Sequence, residues 1–179
     1  MQEETNSQNQ KEGRELVPLV DELGNVIGKA TRSECHGGSR WLHPVVHLHV
    51  FNGQGELYLQ KRPEWKDIQP GKWDTAVGGH VDYGETIEEA LRREVGEELG
   101  ISDFVAEPLG MYVFDSNRER ELVYVHKTVY CGAVRPSETE LDGGRFWTLQ
   151  EIREAIGQGI LTPNFESEFQ RFFAINVMP

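Results

Sequence analysis

The chain has 179 residues and a formal net charge of -12, enough for one domain with a real core. The acidic surface argues against a nucleic acid polymer as partner, because a phosphate backbone wants a basic face. No apolar run approaches the ~20 residues that a membrane-spanning helix needs. Cys35 and Cys131 cannot build a disulfide framework, which suits a cytoplasmic setting, and both read as ordinary thiols.

From the N-terminus, Met1 to Glu15 is polar, has no apolar segment of a signal peptide, and reads as a disordered tail. One domain is expected over residues 16–179. Leu16 to Val20 is an apolar run, Gly24-Asn25 a hairpin turn, and Val26-Ile27 its partner. Val45 to Phe51 alternates Val46, Leu48 and Val50 with His47 and His49, as a strand does. The turn Asn52 to Gly55 leads to a strand at Leu57 to Leu59, and Trp73 to Val77 forms another, ending at Gly78-Gly79. Two strands are expected over Val105 to Phe114 and Leu122 to Val134, and a short one at Phe146-Trp147. Leu149 to Ile156 and Phe165 to Phe173 have helical spacing. The pattern predicts an α/β fold, a mixed sheet covered by helices on both faces.

Between the strands lies a helix predicted over Ile87 to Leu99, stopped by Gly100. At ~100° per residue, Ile87, Leu91, Val95 and Leu99 form an apolar stripe. Glu94 and Glu98 fall on the same stripe, Glu97 on its edge, and Glu89 and Arg92 face water. Burying carboxylates is costly unless they are paired. Arg93 offsets one charge and hard divalent cations would offset the others, so the helix reads as a metal site beside a cleft.

The stretch Gly79 to Ile101 resembles the Nudix box. Its fixed positions are matched by Gly79, Glu85, Arg93-Glu94, Val95, Glu97-Glu98, Gly100 and Ile101. The resemblance implies an αβα sandwich, with the box as a loop–helix–loop. It implies Mg2+ (or Mn2+) held by Glu94, Glu97, Glu98 and the carbonyl of Gly78, with Glu85 and Arg93 bracing the helix. The implied reaction is attack of a metal-activated water on a diphosphate linkage in a small nucleoside-diphosphate-type substrate, with Glu98 favoured over Glu97 as general base. Glu140 and Asp142 are candidates for a further ligand outside the box. The resemblance also admits a homodimer.

A wider resemblance, from Leu16 onward, is to the Nudix branch related to type I isopentenyl-diphosphate isomerase. It rests on Asp67-Ile68-Gln69-Pro70-Gly71-Lys72-Trp73-Asp74 followed by Gly78-Gly79-His80. The isomerase holds a metal among three histidines and two glutamates, matched here by His36, His43, His80, Glu119 and Glu121. Its diphosphate-binding cations are matched by Arg32, Arg62 and Lys66. The isomerase carries a cysteine immediately before its Gly-His pair, and this chain has Gly78 there. That departure, with the intact box, favours hydrolysis over isomerisation. The alternatives are an isomerase-like enzyme and a non-catalytic nucleotide-binding module.

The strand histidines His47 and His49 read as ordinary residues on one face, and Trp41, Trp65, Trp73 and Trp147 as packing.

Overall fold

The computed structural model describes residues 14–66 and 68–173. The predicted tail therefore lies, for residues 1–13, outside the described residues, as does Asp67. The chain groups into two compact units. One comprises Met1–Val46, Gly79–Leu91 and Gly110–Val125, the other His47–Gly78, Arg92–Leu109 and His126–Pro179.

The first unit opens with the antiparallel hairpin β1 (Leu16–Val20) and β2 (Val26–Thr31), in which Leu16 faces Thr31 and Leu19 faces Gly28. Its turn is built by Asp21, whose Oδ1 accepts from the amides of Leu23 and Asn25, both at 2.9 Å. Gly24 sits at φ +84°, where other residues are strained, and a Cβ there would displace the Tyr124 hydroxyl. Thr31 caps a single turn, α1 (Arg32–Glu34), through a capping box with Glu34. A π-helical turn over Cys35–Ser39 follows. Sequence periodicity gave no sign of this turn, yet it places His36. Val17, Ala30 and Cys35 form one small core, and Val20, Leu42 and Leu122 another.

The larger sheet has the order β5-β4-β3-β8-β7, with β6 paired to β3 and β9 to β4. These strands are β3 (Leu42–Phe51), β4 (Leu57–Lys61), β5 (Trp73–Thr75), β6 (Val77–His80), β7 (Glu107–Asp115), β8 (Arg120–Val129) and β9 (Gly144–Trp147). Strand β3 begins three residues before the predicted start, which takes His43 into the ladder. The single strand expected over Trp73 to Val77 is two, broken at Ala76.

The strand expected to run to Val134 stops at Val129. The chain beyond it serves the helix α2 (Ile87–Leu99) instead. Arg135 N–H donates to the Leu99 carbonyl at 2.9 Å and Ser137 N–H to the Glu98 carbonyl at 2.8 Å. A helix leaves its last four carbonyls without intrahelical donors, and this segment satisfies two of them. At the other end, Thr86 and Glu89 form a capping box, with bonds of 3.2 and 2.8 Å. Gly100 closes the helix at φ +64°.

In the second unit, α3 (Leu149–Ala155) is capped by Thr148 and α4 (Pro163–Phe172) by Thr162. Pro163 supplies the fixed φ of a first helical turn. Leu57, Leu59, Trp147, Ile152, Leu161, Phe165 and Phe169 form the core of this unit. Trp73 and Trp147 pack edge to face at 5.2 Å. The packing expectation fails for Trp41 and Trp65, which are about half exposed. No helix among the described residues is long and apolar enough to cross a membrane.

Candidate functional site

Glu94, Glu97 and Glu98 of α2 occupy three different environments. Glu98 is 7% exposed, Glu94 is half-buried, and Glu97 is exposed. The apolar stripe explains this, because Leu91, Val95 and Leu99 are buried and Glu98 lies beside Leu91 on the wheel. The Glu98 carboxylate accepts from Gln60 Nε2 at 3.4 Å and from the Gly78 amide. Burial pushes its pKa well above the usual carboxylate range, and the charges of Glu94, Glu140 and Asp74 push the same way. A carboxylate so placed, facing other carboxylates, is a group whose ionised form needs a cation.

Arg93 spans its own helix, donating to Glu94 at 2.7 Å and to Glu97 at 3.5 Å. Glu85 accepts from the Asp82 amide at 3.0 Å and so ties the loop that precedes the helix. Glu140 lies close enough to Glu98 to raise its pKa, whereas Asp142 is paired with Lys61 at 3.0 Å.

Among the described residues, the side chains whose donor atoms gather within 4.8 Å of one another are His36, His43, His80 and Glu121. All belong to the first unit. His36 comes from the π-helical turn, His43 from β3, His80 from the end of β6 and Glu121 from β8. Two of the rings are oriented from behind. His36 Nδ1 meets Glu119 Oε2 at 2.5 Å, and His43 Nδ1 meets the Trp41 carbonyl at 3.0 Å. The Nε2 atoms therefore turn inward: those of His36 and His80 are 2.8 Å apart. Glu121 Oε1 lies 3.9 Å from His43 Nε2 and 4.0 Å from His80 Nε2. The rings of His43 and His80 stack 6° from parallel with centroids 5.3 Å apart.

His43 has no exposed surface, and its Nε2 has no hydrogen-bond partner. Burial lowers its pKa, which keeps the imidazole neutral, the form that binds a metal. The His36 hydrogen bond lowers the pKa of Glu119. Three inward nitrogens, one of them buried and lacking a partner, and one carboxylate fit a divalent ion. Glu119 stands behind His36, in the carboxylate–histidine arrangement that orients a ligand ring.

The cations picked for substrate have local partners. Arg62 donates from Nε to the Ile68 carbonyl at 3.0 Å and from Nη1 to Asp74 at 3.3 Å. Arg32 pairs with Glu15 at 3.7 Å. Lys66 stands 4.9 Å from the ring centroid of exposed Trp65.

One network escaped the sequence reading. Glu168, on α4, has no exposed surface, and it meets His47 Nδ1 at 2.6 Å and His49 Nε2 at 2.8 Å. Burial pushes the Glu168 carboxyl up, but His47 and His49 outweigh it and hold it below the usual range. Its signal in the sequence was a glutamate next to Phe165 and Phe169 on a helix's apolar stripe, opposite two histidines at strand spacing.

A model of the NUDIX domain matches residues 41–165. A Yersinia pestis protein named as an uncharacterized Nudix hydrolase is 39% identical over 101 residues, 56% of this chain and 55% of that protein. The chain thus spans about half the length of that relative. An isopentenyl-diphosphate delta-isomerase of Leifsonia xyli is 34% identical over 158 residues, covering 84% of each chain. Among solved structures, DR0079 of Deinococcus radiodurans superposes with a TM-score of 0.77 and 26% identity, over 89% of this chain and 99% of that one. The fold is that of these neighbours, a mixed sheet flanked by helices. By its box, its fold and the match over most of its length, this chain belongs to the Nudix family, in the branch that resembles isopentenyl-diphosphate isomerase.

Proposed function

We propose that this chain is a divalent-metal-dependent hydrolase of a diphosphate linkage in a small nucleoside-diphosphate-type substrate. The observation that carries the reading is Glu98: a carboxylate buried on the box helix, held by the Gly78 amide and facing Glu94, Glu140 and Asp74. Glu94, Glu97, Glu98 and the Gly78 carbonyl would hold Mg2+ or Mn2+. Cations there would lower the pKa of a bound water and offset charge on the leaving oxygen. Glu98 rather than Glu97 takes the proton, because Glu98 is buried and fixed while Glu97 is exposed and tied to Arg93. Arg93 and Glu85 keep the helix and its preceding loop in place. The histidine cluster would hold a second ion, with Glu119 behind it. Arg32, Arg62 and Lys66 are the cations nearest in kind to a phosphate site.

The test is a panel of dinucleotides, sugar nucleotides, nucleoside triphosphates and isoprenoid diphosphates, with Mg2+ removed and restored. Metal-dependent release of phosphate-containing products supports the reading. No turnover of any member, with metal bound, points to a binding module.

The histidine cluster and the similarity to the Leifsonia xyli isomerase favour a second reading, an isoprenoid diphosphate isomerase. Gly78 opposes it, since no thiol stands before Gly79. Incubation with isopentenyl diphosphate in D2O decides: an allylic product carrying deuterium establishes the isomerase, and its absence excludes it.

A further inference from the structure

His47 and His49 lie two residues apart on β3 and meet one carboxylate, that of Glu168. Both oxygens of this glutamate are occupied, and the residue has no exposed surface. Burying a carboxylate with two imidazoles is a costly way to fill a core, so the arrangement fixes something that an apolar residue would not.

What it fixes is the ring of His47. Its Nδ1 is tied to Glu168, and its opposite edge faces Gly78. A Cβ built on Gly78 would lie 3.3 Å from both Cδ2 and Nε2 of that ring. A contact that close is usually relieved when the neighbour shifts by a few tenths of an ångström. This neighbour cannot shift without stretching a 2.6 Å bond to a buried glutamate, whose other oxygen is held by buried His49. On the far side, the Gly78 amide donates to the Glu98 carboxylate. The neighbours therefore run in one line: His49 and His47 bond to Glu168, the His47 ring borders the space a Gly78 side chain would enter, and the Gly78 amide bonds to Glu98.

We propose that His47, anchored by Glu168 and His49, is a positioning residue for the Gly78 peptide and, through it, for the Glu98 carboxylate. The inference rests on the hydrolase reading for the importance of Glu98. It also gives a reason for glycine at 78: a Cβ there would crowd the anchored ring.

The test is a double-variant cycle on the full chain, read by Mn2+ binding with electron paramagnetic resonance. The relevant class of Mn2+ is the one lost in Glu98→Gln. Gly78→Ala is expected to weaken that class about tenfold, the scale of a lost outer contact to a metal site. In a His47→Ala background, where the ring is gone, the same change should cost about twofold or less, because neighbouring sites that share a contact do not add. His47→Ala alone, and Glu168→Gln, should each weaken Mn2+ several-fold. Equal losses for Gly78→Ala in both backgrounds, or unchanged affinity in His47→Ala, overturn the proposal.

A second measurement holds if a variant folds poorly or binds no metal. The Gly78 amide resonance in a 1H–15N spectrum should move in His49→Gln and in Glu168→Gln; an unmoved resonance in both overturns the proposal. If Glu98→Gln removes no Mn2+ class, the hydrolase reading fails, while the amide resonance still decides whether His47 positions Gly78.

Discussion

Glu119 Oε2 meets His36 Nδ1 at 2.5 Å, and this contact turns the other nitrogen of the ring toward His80, 2.8 Å away. A carboxylate behind a ligand histidine fixes its tautomer and raises its basicity. Glu119→Gln should therefore weaken Mn2+ or Zn2+ at the histidine cluster about 10- to 100-fold without removing it. His43→Ala, which deletes the buried nitrogen that lacks a partner, should abolish that binding. Calorimetry on chelator-stripped protein measures both, and unchanged binding in His43→Ala would show that no ion sits there.

Glu98→Gln should lower turnover of whichever substrate the panel identifies by about 10²- to 10⁴-fold, the range for loss of a general base. Glu97→Gln should cost less, since Glu97 is exposed and paired with Arg93. Steady-state rates with saturating Mg2+ check the order. Turnover unchanged in both variants would refute the helix mechanism.

In metal-free protein the raised pKa of Glu98 has a direct consequence for stability. Burial raises the folded value well above 4.5, so the contribution of this group is full below 4.5 and is lost as pH rises through the folded value. Thermal melts of chelator-treated protein should fall in midpoint as pH rises from 5 toward 8. Adding Mg2+ or Mn2+ should restore the midpoint, and Glu98→Gln should flatten the slope. A midpoint that rises with pH in the wild type and is unaffected by Glu98→Gln would contradict this.

Glu168 behaves in the opposite sense. His47 and His49 hold its folded pKa below 4.5 despite burial. Its contribution is therefore present above 4.5 and is lost as pH falls toward the folded value. Glu168→Gln should be less stable than wild type at pH 7, and the gap should narrow in acid. A constant gap between pH 7 and pH 3 would show that the carboxylate charge contributes nothing.

Cys35 is buried, and burial, with the nearby Glu34 charge, pushes its thiol up to about 11. Cys131 is exposed. A thiol-specific reagent at pH 8 should label one cysteine in the folded protein and two in denaturant, because the thiolate is the reactive form. Labelling of Cys35 in the native state, read by mass spectrometry, would place it at the surface.

The helix and its ends were legible from the sequence because they depend on local rules. Leu91, Val95 and Leu99 recur at helical spacing, and Gly100 supplies the left-handed cap, so Ile87–Leu99 follows without knowledge of any distant residue. The box spacing identified the family for the same reason. The environments of its glutamates were only partly legible. A wheel puts Glu94 and Glu98 at neighbouring angles, but the Gly78 amide and the Gln60 side chain, which receive Glu98, come from other strands.

What the sequence by itself determined is the set of groups available and the periodicity that brings Glu94, Glu97 and Glu98 to one side of a helix. Tertiary structure alone decided how far β8 runs, since the donors of Arg135 and Ser137 go to the end of a helix rather than to a strand. It also decided that His47 and His49 share a buried glutamate more than a hundred residues away. The physical reason is range. Helical and strand patterns are written within a few residues, whereas the partner of a buried polar group is whichever donor or acceptor the packed chain brings within about 3 Å.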